Sequence, residues 1–493
     1  METLDGTEWD VVIAGTGLPQ SLLALSLSRS GKSVLHLDRN DYYGGNEAAL
    51  SLSEARDWAT KHAATGEEAH NTTFSHATIQ ENAVEEGGIK LSQPRAYSLA
   101  LAPHVIHAQS KLLAALVSSR MHNQLEFQAV GSWFLAEPLS ENDGSRSHIT
   151  RVPSGREDIF RDNTFDLRAK RSLMKFLRFV QNYEEQPQAW QSDAERPFPD
   201  FLQQKFGLPP SSHGALLSLT LLPSAANSTS TGSALPLIAR HLRSIGVFGP
   251  GFGAVLPKWG GLAEIAQVAC RAGAVGGGVY VLKKGIDSIS SASEDHIKLV
   301  LSDGEKITTR WLAGCSDDLP PIGTREITGR MTRSISIVTP PLVQLFPPTS
   351  EGGVTPAGAV VIVPSSTADE PPVQIVAHSH ESGECPSTQS VLYGSVALPY
   401  EQGKTHLAAA VEAVLQGYEE SSHHSLWSLC YHQNNVREER GPSTNTIVLA
   451  HAPLELGLSD STFDEVKLAW QQITGETEGF MVFEAREGME DDD

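Results

Sequence analysis

The chain is predicted to be an α/β protein with mixed sheets and one inserted all-helical domain, on three observations. It opens on a strand, a glycine turn, an apolar helix and a second strand between Asp10 and Asp38. A second glycine-rich unit of loop, helix and strand occupies 244–284, and a run of amphipathic helices lies between the two at 152–243. Apolar periodicity separates strand from helix in each case. At 493 residues the chain exceeds one compact core. The helical stretch 152–243 is therefore expected as an insertion into a domain built from 1–151 and 244–493.

In the opening unit, Asp10, Val11, Val12, Ile13 and Ala14 form a short β-branched run, and Gly15-Thr16-Gly17 a tight turn. Residues 18–30 form a helix stopped by Gly31, and Val34-Leu35-His36-Leu37 a second buried strand ended by Asp38. This is a Rossmann-like βαβ opening. In such units the glycines admit a pyrophosphate to the helix N-terminus, and the acid after the second strand holds a ribose. Gly15, Gly17 and Asp38 are the candidate nucleotide loop. Gln20, preceded by Pro19, stands where the pattern wants a third small residue and would crowd the phosphate. Two readings stay open: a dinucleotide site, or a scaffold that has kept the fold and lost the ligand.

The segment Asp38-Arg39-Asn40-Asp41-Tyr42-Tyr43-Gly44-Gly45-Asn46 places two aromatics, a cation and two glycines at a strand's carboxyl end, where open α/β sheets bind ligands. GTGLPQS followed by VLHLDRNDYYGGN resembles the Rab escort protein and Rab GDP-dissociation-inhibitor family. The resemblance implies a GDI-like fold related to FAD-dependent oxidases but without flavin. Pro19 resembles the escort branch, since inhibitors usually lack it.

Composition narrows the classes. The hydrophobic fraction of 40% is that of a soluble protein, no run of eighteen apolar residues occurs, and METLDGTEWD lacks the basic and apolar regions of a signal peptide. Cys270, Cys315, Cys385 and Cys430 lie far apart, which argues for a reducing compartment, with the cytosol expected, and against a zinc site. A net charge of -22 disfavours nucleic acid and suits a basic protein partner. Part of that charge lies in the acidic tail 484–493, read as a solvated terminus.

Downstream, Ser51 or Ser53 is expected to cap a short helix. Polar, acidic and aperiodic, 65–88 is expected to be a flexible loop. Helical spacing over 99–125 (Ile106, Leu112, Leu113, Leu116) and a strand at 125–130 are expected to complete the first sheet. Within 163–183, Phe165, Leu173, Phe176, Leu177 and Val180 make an apolar stripe flanked by Arg168, Lys170, Arg171, Lys175 and Arg178. Further helices are predicted over 198–206, 214–222 and 234–243. The stripe either packs into a core, or borders a slot for a lipid tail or a docking face. Many buried CH₂ units, each worth about 0.8 kcal/mol, would hold a geranylgeranyl chain in such a slot. The family resemblance implies that this domain binds the prenyl chain and contacts the transferase, with Phe176 and Phe179 as candidates beside Lys175 and Arg178.

In 244–284, Glu264, Gln267, Val268 and Arg271 fall at helical spacings of three and four, so Glu264, Gln267 and Arg271 share one side. By composition this is a solvated face. In the family this region reads roughly P-L-Y-G-x-G-E-L-P-Q-x-F-x-R, then Y-G-G-x-Y. Pro257, Gly260, Glu264, Gln267, Arg271, Gly277, Gly278 and Tyr280 match, with Trp259 for the aromatic. Lys258 and the extra residue before Glu264 resemble fungal escort proteins. The resemblance implies a Rab-binding platform of Tyr43, Glu264, Gln267, Arg271 and Val281, with Arg39 at its rim. Ala266, Ala269 and Gly276 depart from the motif, and the smaller side chains are expected to reduce contact with the partner.

Strands are predicted around 297–301, 307, 311–315, 334–340, 359–363, 373–378, 390–396 and 446–450. Helices are predicted over 407–418 and 462–473, the latter capped by Ser461 or Thr462. His378, His380, His406, His423 and His424 lack a ligand frame for a metal. His451-Ala452-Pro453 stands where flavin-dependent relatives carry a Gly-Asp pair, which together with Gln20 points away from flavin, and no cofactor is expected. The function implied is a non-catalytic escort that binds GDP-loaded Rab GTPases, presents them to the geranylgeranyltransferase heterodimer and carries the prenylated product, with transient membrane contact. The alternatives are a Rab GDP-dissociation inhibitor and a FAD-dependent oxidase.

Overall fold

The structure is a computed structural model, and it describes residues 3–66, 72–83, 87–136, 148–153, 166–293, 296–321, 324–417, 423–439 and 445–483. The acidic tail 484–493 lies outside the described residues. β1 (Glu8–Ala14), α1 (Leu18–Arg29) and β2 (Val34–Leu37) form the expected opening unit. α1 begins with a proline in its first turn, where a missing N–H costs nothing, and it is buried from Leu18 to Ser28. A helix buried all round must lie inside the protein. Here Leu22, Leu25 and Leu27 pack among Ile265, Val268 and Ala269 of the helix Leu262–Val275 and Val466 and Trp470 of the closing helix Asp460–Thr474.

β1 and β2 belong to a seven-stranded mixed sheet. Val279–Val281, β2, β1 and Lys306–Cys315 run parallel in that order, and Thr446–Leu449 also pairs in parallel with Lys306–Cys315. Ile297–Leu301 and Ile286–Ala292 extend it antiparallel. The register sets Val281 beside Leu37 and Tyr280 beside His36. The glycine turn, the loop after β2 and Val281 are thereby placed at one carboxyl edge.

A second, ten-stranded sheet is mostly antiparallel, and its longest pairing joins Thr324–Thr339 to His424–Glu439. The strands expected around 359–363, 373–378 and 390–396 lie here. Helices Leu167–Gln181, Phe198–Phe201, Pro210–Ser218 and Thr231–Ser244 fall at the four predicted stretches, the third beginning and ending four residues before the predicted 214–222; Phe165 lies outside the described residues. They share one core with this sheet: Phe176, Phe198 and Phe201 pack in the same cluster as Trp133, Tyr393 and Trp427.

Several expectations are corrected. Within 65–88, Phe74–Glu81 is a strand, paired with His424–Glu439 at the edge of the large sheet, so cross-strand bonding supplies the order that its polar composition conceals. Residues 67–71 and 84–86 of that stretch lie outside the described residues. The helical spacing over 99–125 resolves into two short strands and one helix, Lys111–Ser118, capped by the Ser110 hydroxyl. The strand expected at 125–130 is Phe127–Ala136 and joins the second sheet, not the first. The closing helix is capped two or three residues earlier than predicted, by Ser459. Ser51 does cap Leu52–Lys61, in a reciprocal capping box with Glu54. Among the described residues no helix is long and apolar enough to cross a membrane.

Candidate functional site

The loop following β2 is folded back over the glycine turn and zipped to the neighbouring strand. Asp38 N–H donates to Val281 O at 3.0 Å, Lys284 N–H to Asp38 O at 2.8 Å and Lys283 N–H to Asn40 O at 2.8 Å. The Asp38 carboxylate accepts from the Thr16 N–H (2.8 Å) and hydroxyl (2.5 Å), and from the Asn40 N–H (2.7 Å). Asp38 is 1% exposed and so ties the loop to the glycine turn. Gly44, at φ 99°, donates to Thr16 Oγ1 at 3.1 Å, and a Cβ there would lie 3.2 Å from Ala263 Cβ. That close approach seats the Tyr-Tyr-Gly-Gly loop against the first turn of the helix Leu262–Val275.

This edge brings together most of the residues expected from sequence. Tyr43 is half-buried. Burial raises its phenol above the ordinary range, with a further push from Cys270 and opposition from Arg271, so it stands within electrostatic reach of that helix. Arg271 is exposed and pairs with the half-buried Glu264 at 3.6 Å, and Gln267 is half-buried on the same helix. Burial raises the Glu264 carboxyl while Arg271 opposes it. Val281 is half-buried at the end of its strand. Arg39 is exposed, and it donates to Asp317 O at 2.8 Å with its guanidinium 3.8 Å from Asp318. Ala266 and Ala269 are fully buried, Ala269 in the cluster shared with α1. These two departures from the motif therefore allow close helix packing and take no area from the exposed face of the helix.

The same edge tests whether a flavin dinucleotide fits. A pyrophosphate needs the N–H groups that open α1 and the space above Gly15 and Gly17. The Leu18 N–H already donates to Glu47 Oε2 at 3.2 Å, and the Thr16 N–H to Asp38. A Cβ added at Gly15 would strike the Asp318 carboxylate; one at Gly17 would lie 2.7 Å from Gln20 Oε1 and 3.1 Å from Glu47 Oε2. Gln20 Nε2 donates to Asp318 Oδ2 at 3.1 Å, which holds the plug together. The residues do not fit the group.

A cavity of about 360 Å³ remains beside the plug, bordered by Tyr42, Trp58, Phe74, Asp317, Asp318 and His451. His451 Nε2 pairs with Asp317 Oδ1 at 2.5 Å, and its Nδ1 lies 2.9 Å from Asn46 Nδ2. Burial alone would raise the Asp317 carboxyl, but the adjacent His451 outweighs it and holds the group well below the usual range. Burial likewise opposes the His451 charge, and Asp317 overcomes it, raising the imidazole. Burial pushes Asp318 up to about 7, outweighing the opposing Arg39 guanidinium 3.8 Å away. Sequence reading missed Glu47, Asp317 and Asp318, although Glu47 directly follows Gly-Gly-Asn and the acidic pair directly follows a buried strand at the binding edge. Among the described residues no group of three or more His, Cys, Asp or Glu side chains could hold a metal ion.

In the helical region Phe176 is fully buried and Phe179 nearly so, their rings meeting Phe206 at 5.3 Å each. Phe179, Phe206, Met174 and Leu167 line a groove of about 900 Å³ rimmed by Arg171 and Lys175.

A family profile described as GDI, GDP dissociation inhibitor, matches residues 5–350. The chain belongs to this family. It is 32% identical over 411 residues to "Rab proteins geranylgeranyltransferase component A" of Saccharomyces cerevisiae, an alignment that covers 82% of this chain and 64% of the yeast protein. It is 26% identical to "Rab escort protein 1" of Arabidopsis thaliana, over 68% of this chain and 65% of that one. The chain thus spans slightly under two thirds of the length of these relatives. In fold it is similar to a Rab GDI from Plasmodium falciparum, at a TM-score of 0.70 and 18% identity, over 96% of this chain and 100% of that one. A putrescine oxidase matches at a TM-score of 0.54 and 13% identity, covering 95% of this chain and 99% of the oxidase. In fold the chain is thus similar both to a Rab GDI and to an oxidase, as the family resemblance implied.

Proposed function

We propose that this chain is a Rab escort protein. It binds a GDP-loaded Rab GTPase through Tyr43, Glu264, Gln267, Arg271 and Val281, and presents the Rab C-terminal cysteines to the heterodimeric Rab geranylgeranyltransferase. It then shields the prenylated product on its way to membranes. Arg39 holds the loop from beneath and offers its exposed part as a rim contact. Cysteine alkylation belongs to the transferase, so the chain is a non-catalytic component acting in the cytosol with transient membrane contact and no nucleic-acid partner.

The observation that carries this reading is the junction of the Tyr-Tyr-Gly-Gly loop with the helix of Glu264 and Arg271, at a sheet edge whose cofactor cradle is filled by Gln20, Glu47 and Asp318. Such a surface supplies one aromatic and one arginine, the residue types that anchor protein interfaces, on rigid elements. The groove at Phe179 offers apolar lining for a prenyl chain and cations at its rim for an acidic face of the transferase. The division into a platform domain of 1–151 and 244–493 and a helical domain of 152–243 belongs to the same proposal. The test is a pull-down with purified GDP-loaded Rab and transferase, in which a ternary complex is expected. Rab binding without transferase co-elution, even with geranylgeranyl diphosphate present, would favour the second reading, a GDP-dissociation inhibitor, which the fold similarity to a Rab GDI supports.

A further inference from the structure

Glu47 is 3% exposed, an unusual place for a carboxylate, and it sits one residue beyond the Tyr-Tyr-Gly-Gly-Asn segment. Its Oε2 takes the Leu18 N–H, the donor that an anion bound at the start of α1 would use. Its backbone N–H closes the loop on Gly44 O at 2.8 Å, and the Gly44 N–H returns to Thr16. Beside it Gln20 Oε1 is buried without a hydrogen-bond partner, facing the same space over Gly17 as Glu47 Oε2. The phosphate space of a glycine turn is thus filled from within the chain, by the loop that carries Tyr43.

We propose that Glu47 is a built-in substitute for a bound phosphate group: its carboxylate closes the anion site at the head of α1 and thereby fixes the loop 38–47, with Tyr43 on it, against the helix of Glu264 and Arg271. Glu47 is a positioning residue. It touches no partner and acts through the loop. Removing its carboxylate both loosens the loop and reopens the head of α1 to an inorganic anion. The loop-fixing and anion-site parts stand independently; the effect on Rab binding rests on the function proposed above.

The experiment compares the full-length chain with Glu47→Ala and Glu47→Gln. Hydrogen exchange of the amides in 38–47 is expected to rise about ten-fold or more in Glu47→Ala, the loss of one buried hydrogen bond to a carboxylate. Glu47→Gln keeps an acceptor of the same reach and should stay within about two-fold of the parent. Inorganic pyrophosphate at millimolar concentration should raise the melting temperature of Glu47→Ala and leave that of the parent unmoved. Unchanged exchange in Glu47→Ala, or no response of that variant to pyrophosphate, overturns the proposal. Affinity for GDP-loaded Rab should fall in parallel with loop exchange. A parent chain that binds no Rab while Glu47→Ala still shows both effects would sink the escort reading and leave the role of Glu47 standing. If Glu47→Ala does not fold, Glu47→Asp, whose carboxylate is one methylene too short to reach Leu18, gives the loop-exchange reading, and parent-like exchange in it overturns the proposal.

Discussion

Gly44→Ala isolates the contact on which the binding edge depends. Gly44 sits at φ 99°, where an L side chain costs about 1–2 kcal/mol. The new Cβ would lie 2.9 Å from Ala48 Cα, 3.1 Å from Ala48 N and 3.2 Å from Ala263 Cβ. Two of those atoms are backbone, so the loop must move, adding roughly 1–3 kcal/mol of overpacking. The total, about 2–5 kcal/mol, amounts to a melting-temperature loss of several degrees. Because the displaced atoms separate Tyr43 from the helix of Arg271, affinity for GDP-loaded Rab should also fall by about ten-fold or more. Gly31→Ala is the control. Gly31 also has a positive φ of 72°, but nothing lies within 4 Å of its added Cβ, and it sits at the opposite end of α1. It should lose only about 1–2 kcal/mol of stability and keep full affinity. Thermal melts and a fluorescence titration with Rab read both quantities. Equal affinity in the two variants would refute the claim that the loop–helix contact positions the platform.

Tyr43→Ala and Arg271→Ala should each weaken Rab binding about ten-fold, as interface anchors do, while melting within a few degrees of the parent. At 3.6 Å, with Arg271 largely exposed, the Glu264–Arg271 pair contributes little to folding, and unchanged affinity in both variants would remove the platform assignment. Asp318→Asn tests the plug by pH. A carboxyl raised above its unfolded value, 3.8 to about 7, leaves the folded protein holding a proton that the unfolded chain has lost. Stability therefore falls as pH rises between those values, and Asn removes the loss. The variant should gain melting temperature at pH 8 and show little gain at pH 4, whereas a loss at pH 8 would mean that the Arg39 contact outweighs burial. Incubation of the purified chain with FAD should leave no flavin absorbance after gel filtration, and a retained band near 450 nm, the region where free flavins absorb (roughly, by general chemistry of the chromophore), would undo the account of Gln20 and Glu47.

What the sequence determined by itself was local. The βαβ opening, the helix of Glu264 and the helices near 167–244 were legible because apolar period and glycine position express short-range constraints. The strand His424–Glu439 was not. No strand was predicted there, and His432, Gln433 and Asn434 are polar, yet all three are buried: Gln433 accepts from Arg333 at 2.6 Å and Asn434 donates to Thr72 O at 2.8 Å, partners far away in the chain. The strand Phe74–Glu81 was hidden for the same reason, since its order comes from the strand it pairs with. At the site, the family resemblance named Tyr43, Glu264 and Arg271, which spacing alone reads as a solvated face, and Gln20 signalled a disturbed phosphate turn. Only the tertiary structure could show what disturbs it. Asp318 arrives from a strand some 300 residues along the chain and Glu47 from a loop folded back on itself, and a space is filled by whatever the fold brings to it, whatever the separation in sequence.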